Sequence, residues 1–143
     1  MDHLNSADWN AFLENSLSKL VSSDIFSFNE ITPSMLPEKA GIYLISENMG
    51  NQEVCLYIGR TKNIRQRIYT NHLMGSFTNA RLKKYLTQDA LHFCFGSIDQ
   101  AKLHIKNNCH VRWIFEEDTR KRGALEGYFT GKFFPKYGIA EEH

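Results

Sequence analysis

Between Val54 and Gln88 the chain has no aspartate or glutamate, although it carries seven lysines and arginines there: Arg60, Lys62, Arg65, Arg67, Arg81, Lys83 and Lys84. The formal net charge of +1 hides this asymmetry, because residues 1–40 hold six acidic side chains against Lys19 and Lys39. Global charge therefore argues for neither a nucleic-acid nor a membrane partner, while the middle of the chain forms a cationic block. Cysteine is also scarce. Cys55, Cys94 and Cys109 are odd in number and widely spaced, with no CxxC pair and no histidine at zinc-site spacing. That excludes a disulfide framework and a structural zinc site, and fits reduced, mostly buried thiols. No long apolar run is present, and Asp2 and Asp8 sit near the start, so no signal peptide or membrane span is expected. The resulting expectation is a soluble, cytoplasmic protein with no membrane partner.

The 143 residues, 42% hydrophobic and 13% aromatic, suffice for one core. Leu4, Phe12, Leu13, Leu17, Leu20 and Val21 recur at helical spacing, predicting a helix over about residues 7–22 with Ser6 or Asp8 as its cap. Pro33 and Pro37 mark Phe26 to Lys39 as an extended connection. Residues 1–39 therefore read as a helical extension and linker, and 40–143 as the main domain. Ala40 to Ser46 and Glu53 to Gly59 read as strands of an antiparallel hairpin, joined through Asn48-Met49-Gly50-Asn51. Lys62 to Asn71 suits a helix, as do Asn79 to Tyr85 and Asp99 to Asn107, the last capped by Asp99. Alternation at Leu91, Phe93 and Phe95 and at Val111, Trp113 and Phe115 predicts two more strands. Asp118 or Thr119 caps a final helix through about Lys132, stopped by Pro135. The order of elements is that of an α+β fold with a small sheet.

Within the cationic block, helical spacing sets Asn63 and Arg67 on one face, with Arg60 at the turn before it. A phosphate at that turn would meet both arginines and free backbone N–H groups. A solvated basic helix face is the plain alternative. Tyr43 and Tyr57 stand on the paired strands, where half-buried packing is their ordinary use; as a proton acceptor, a phenol of pKa about 10 needs neighbouring positive charge. Glu126 lies within Gly123-Ala124-Leu125-Glu126-Gly127-Tyr128-Phe129, an otherwise small or apolar stretch.

Gly41-Ile42-Tyr43, then Tyr57-Ile58-Gly59, then Arg60-Thr61-Lys62-Asn63-Ile64-Arg65-Gln66-Arg67 resemble the GIY-YIG nuclease family, and the resemblance continues in Ala124-Leu125-Glu126 and Pro135-Lys136-Tyr137. It covers about residues 40–138. It implies a small central antiparallel sheet flanked by helices and one divalent cation, magnesium (Mg2+) or manganese (Mn2+). Carried over by position, Tyr43 is the candidate general base or water-positioning phenol and Tyr57 its hydrogen-bonding support. Arg67 is the arginine on the scissile phosphate, Arg60 a basic residue assisting the nucleophile or contacting phosphate, and Glu126 the metal ligand. Two positions depart from the pattern: Gly138 replaces an asparagine common after Pro-Lys-Tyr, and His72 falls five residues after the arginine where relatives place histidine at the fourth.

The implied activity is metal-dependent hydrolysis of DNA phosphodiesters by direct attack of water, with branched or damaged DNA as candidate substrates and DNA repair or recombination as candidate settings. Lys62, Asn63, Arg65, His72, Arg81, Lys83 and Lys84 are candidate phosphate or nucleic-acid contacts, and His72 is also a candidate for proton transfer. A binding or regulatory module with the same fold and little chemistry is the competing reading. The N-terminal extension is a candidate for contact with a protein partner or for self-association.

Overall fold

The computed structural model describes residues 5–69 and 98–138. Helix α1 (Ser6–Ser22) is capped by Asn5, whose side-chain oxygen accepts the Asp8 N–H at 2.9 Å. Ser6 and Asp8, the expected caps, already lie inside the helix. Asn5 is extended, which aims its short amide at the third helical N–H, while Asp8 supplies a negative charge to the positive end of the helix dipole. Leu20 is fully buried, whereas Val21, one residue around the helix, is 51% exposed.

Strand β1 (Phe26–Ser27) follows, then a 3-10 turn at Pro33–Met35. The sequence reading took this region as connection only, because two residues are too few for a recognisable strand alternation. Strands β2 (Gly41–Met49) and β3 (Gln52–Thr61) form the expected hairpin, turning at Gly50 with φ of +66°. Helix α2 is described over residues 64–69 and widens from α-type to π-type winding from residue 66, a form frequent at functional sites. Helix α3 (Ile98–Asn108), strand β4 (Cys109–Phe115) and helix α4 (Thr119–Phe133) complete the described chain. The anticipated helix Asn79 to Tyr85, the strand at Leu91 to Phe95, and Cys94 lie outside the described residues.

Among the described residues the sheet has four antiparallel strands in the order β1-β4-β2-β3, flanked by helices on both faces. This is the α+β architecture, with a central antiparallel sheet, expected from the sequence. Side chains alternate across the sheet. Tyr43, Ile45, Tyr57 and Val111 face a core completed by Phe28, Leu36, Ile64 and Ile68. Ile42, Leu44, Ile58 and Ile114 face the other, completed by Leu20, Leu125 and Phe129. Residues before Ala40 therefore contribute to both cores. The apolar stripe of α1, with Phe12, Leu13 and Leu17 against the second core, is taken up within the chain.

Two features fix the site's surroundings. The outer edge of β3 is covered by the chain after α4, where the Lys136 and Tyr137 N–H groups donate to the Cys55 and Leu56 carbonyls; this follows a β-bulge at which the pairing skips Leu56. At the opposite end of the sheet Arg112, 9% exposed, donates to both Glu53 carboxylate oxygens at 2.7 and 3.0 Å and to the Val21 carbonyl near the end of α1 at 3.3 Å. Desolvation pushes the Glu53 carboxyl upward, but the nearby Ser46 hydroxyl, the hydrogen bonds from Arg112 and the Arg112 charge outweigh it and hold its pKa below the ordinary 4.5.

A depressed carboxylate pKa adds stability above its ordinary value and loses it as pH falls through the folded value. Arg112→Met should therefore lower stability at neutral pH by about 1–3 kcal/mol. In urea melts, the gap from wild type should be largest above pH 4.5 and shrink as the medium becomes more acidic.

Candidate active site

Tyr43, in the middle strand of the hairpin pair, lies directly opposite Gly59 on β3 and Trp113 on β4. A Cβ at position 59 would overlap the Tyr43 hydroxyl and the end of its ring. The glycine of the second tripeptide is thus the space in which the Tyr43 phenol lies. Gly41 has a different reason: a Cβ there would overlap the Ile114 carbonyl of β4 and press on Ile64 of α2. The two motif glycines therefore permit close sheet packing and the burial of one phenol.

Tyr57 pairs with Ile45, which puts its ring diagonally beside that of Tyr43, with centroids 6.2 Å apart and a tilt of 31°. Arg67 reaches across from α2, its Nε donating to the Tyr43 hydroxyl oxygen at 3.3 Å. Tyr43 is fully buried and Tyr57 is 8% exposed. Desolvation, reinforced by Tyr57, pushes the Tyr43 phenol well above its ordinary value, and Arg67 pulls against this without reversing it. The sequence reading had nearby cations favouring the phenolate; burial outweighs them, and Tyr43 rests as a phenol. Desolvation acts to lower the Arg67 pKa, but both tyrosines outweigh it and raise it.

Arg60 and Glu126 form the second half of the site. Successive strand residues point to opposite faces, so Gly59 opens toward Tyr43 while Arg60 turns to α4. There Arg60 Nε lies 3.8 Å from Glu126 Oε1, with the side chains 51% and 35% exposed. Gly123, one turn before Glu126, makes room: a Cβ at 123 would overlap the Arg60 guanidinium. The charge of Glu126 reaches Tyr43, adding to the upward push on the phenol. The sheet thus brings together five sequence-predicted residues, Tyr43, Tyr57, Arg67, Arg60 and Glu126, around the end of β3.

The remaining candidates are placed differently. Asn63 caps α2, its side-chain oxygen accepting the Gln66 N–H at 3.0 Å. Arg65 is tied to the connection before β2, with Nε on the Leu36 carbonyl at 2.8 Å and Nη1 on Glu38 at 3.2 Å. Lys62 is exposed. The free N–H groups expected at the helix start are occupied, because Asn63 N–H donates to the Thr61 hydroxyl, Ile64 N–H to the Lys39 carbonyl and Arg65 N–H to the Pro37 carbonyl. Anion binding at this turn is therefore left to side chains. His72, Arg81, Lys83 and Lys84 lie outside the described residues.

Sequence reasoning missed Arg122. It is 5% exposed and donates to the Glu116 and Glu117 carbonyls at 3.0 and 2.8 Å, fixing the start of α4 and so the position of Glu126 one turn later. Its place in the basic run Arg120-Lys121-Arg122 disguised a structural arginine as a surface one. Gly138, at φ of +96°, rests against the Tyr57 ring: a Cβ there would stand 3.7 Å from Tyr57 Cε1.

As a metal site, Glu126 offers one carboxylate, and among the described residues no group of three or more His, Cys, Asp or Glu side chains forms a cage. Gly127 beside it has open space where a side chain would stand. A single, partly exposed carboxylate, with Arg60 on one side and open space at Gly127 on the other, fits magnesium, which keeps several waters and takes one or two protein carboxylates, better than zinc.

UvrABC system protein C from Chlamydia abortus is 26% identical over 110 residues, 77% of this chain, and the chain spans 15% of that protein's length. The GIY-YIG N-terminal endonuclease domain of UvrC from Thermotoga maritima, bound to its catalytic divalent cation in a point-mutant crystal structure, is 20% identical; the match covers 75% of this chain and 90% of that one, with a TM-score of 0.41. A magnesium-bound structure of the same domain is 19% identical, covering 88% and 98% with a TM-score of 0.38. The family description of the GIY-YIG catalytic domain matches residues 39–137. By that match, which takes in both tripeptides, the helix of Arg67 and the helix of Glu126, the chain belongs to the GIY-YIG family.

Proposed function

We propose that the chain is a divalent-metal-dependent endonuclease that hydrolyses DNA phosphodiester bonds by direct attack of water. The observation carrying this reading is the contact of Arg67 Nε with the Tyr43 hydroxyl at 3.3 Å, at a strand end whose other side presents Glu126. Arg67 is the cation set against the negative charge that builds on the phosphorus-bound oxygens, and it is already oriented before substrate arrives. Tyr43, held protonated by burial, positions the attacking water through its hydroxyl; for it to take the water's proton, further positive charge must be brought beside it. Tyr57 keeps the Tyr43 ring and Arg67 in place. Arg60, half exposed over Gly123, is the cation available to a phosphate on the α4 side. Glu126 with water molecules would hold a magnesium or manganese ion, which supplies stabilisation of the departing oxygen.

A binding or regulatory module without efficient chemistry is favoured by one observation, the absence of a side chain at Gly138 beside Tyr57. Salt-sensitive DNA binding with no cleavage in either metal would decide for it.

Purified protein incubated with supercoiled, branched and single-stranded DNA should cleave in magnesium or manganese and stop on chelation. Glu126→Ala should abolish that cleavage while leaving metal-free DNA binding in place; cleavage that survives the substitution contradicts the assignment. Arg67→Ala should slow cleavage by about 10²–10³-fold, and Arg67→Lys should recover little, because a flexible point charge does not reproduce the fork of a guanidinium. Tyr43→Phe should fold normally, since the ring still fits its pocket, and lose about 10²–10⁴-fold in rate. Comparable rates for Tyr43→Phe and wild type across neutral pH would remove Tyr43 from the chemistry.

A further inference from the structure

The end of α4 carries a feature that neither half of the site uses. Phe134 is the only non-glycine residue with positive φ among the described residues, at φ 46° and ψ 63°, where it closes the helix by donating its N–H to the Thr130 carbonyl. Glycine is the usual residue in this left-handed closing position, because side chains are disfavoured there. The bulky ring receives little packing in return, being 78% exposed. A strained backbone that presents a large apolar side chain to solvent calls for a functional explanation.

Its surroundings indicate the ligand. Lys132 and Lys136 flank it at two residues on either side, and from Gly127 through Gly138 there is no acidic residue. Lys132 Nζ stands 5.5 Å from the Tyr128 ring centroid and Lys136 Nζ 5.4 Å from that of Tyr137, so cations and aromatic rings interleave along the strip. The strip is anchored to the catalytic sheet through the Lys136 and Tyr137 N–H groups, and Gly138 rests against Tyr57. Four residues of chain span at most about 14 Å, so the Phe134 backbone lies within about four nucleotide steps of Gly138, the residue that rests against Tyr57.

We propose that Phe134 is a base-stacking contact for an unpaired nucleotide near the scissile phosphate, with Lys132 and Lys136 on the adjoining phosphates. It gives the enzyme a preference for DNA carrying a single-stranded or flapped segment over intact duplex. The inference rests on the nuclease reading above and specifies its substrate. An exposed aromatic face accepts any base, and the flanking cations hold the backbone, which is the arrangement of single-strand binding surfaces.

The test is binding of fluorescent single-stranded, flapped and blunt duplex DNA to the full chain in metal-free buffer. Phe134→Ala should weaken single-strand and flap binding by about tenfold and leave blunt duplex binding unchanged. Phe134→Trp should keep the affinity and add tryptophan quenching by the single strand beyond that of wild type. Phe134→Gly should lose the same affinity yet melt a few degrees higher, because the left-handed backbone suits glycine. Unchanged single-strand affinity in Phe134→Ala, or a lower melting temperature in Phe134→Gly, overturns the proposal. Wild type that binds no DNA removes the nuclease reading as well, whereas duplex binding and cleavage with no effect at Phe134 removes this inference alone.

Discussion

Tyr43 can be buried in the middle of a sheet because the residue opposite it on β3 has no side chain. The Tyr43 hydroxyl occupies the space where a Gly59 Cβ would stand, and the consequences extend in both directions along the chain. On one side, Arg67 reaches the phenol from α2. On the other, β3 continues for one residue and turns Arg60 to the opposite face, toward Gly123 and Glu126 of α4. A side chain at position 59 would displace the phenol and separate the two halves of the site. Steric permission at one backbone position thus organises residues from four secondary-structure elements.

Burial sets the chemistry of this arrangement as much as proximity does. The charged neighbours of Tyr43 act in opposite senses: Arg67 lowers its pKa, while Tyr57 and Glu126 raise it. Desolvation decides the balance and leaves a protonated phenol. Neutralising the Glu126 charge would remove one of the upward contributions, so Glu126 and the tyrosine are electrostatically linked across the end of β3.

The cationic block read from the sequence separates into distinct uses. Arg67 reaches Tyr43 and Arg60 reaches Glu126. Arg65 ties down the connection before β2, and Asn63 caps the helix. Arg122, outside the block, fixes the start of α4 through two carbonyls, and Arg112 joins α1 to Glu53. Residue type is the same throughout these arginines; what differs is whether a carbonyl, a carboxylate or a phenol lies within reach. The N-terminal segment shows the same distinction. Its helix was legible from apolar spacing, but its share in both cores depends on strands elsewhere in the chain, and the two-residue pairing of β1 with β4 on partners more than 80 residues away.

The sequence by itself determined the hairpin and the four helices within reach of description, and it nominated five site residues, because periodicity, capping and motif spacing act over a few residues and leave a local trace. It carried Tyr43, Tyr57, Arg67, Arg60 and Glu126 on motif context alone. Only the tertiary structure decided that burial pushes the Tyr43 phenol up against the pull of Arg67, that the N–H groups at the start of α2 are occupied by the Thr61 hydroxyl and the Lys39 and Pro37 carbonyls, and that Phe134 stands in solvent on a left-handed backbone. Protonation depends on desolvation by the whole core, hydrogen-bond occupancy depends on which distant carbonyl arrives, and exposure depends on what fails to cover a side chain. None of these is a property of the neighbouring residues, so no local pattern records it.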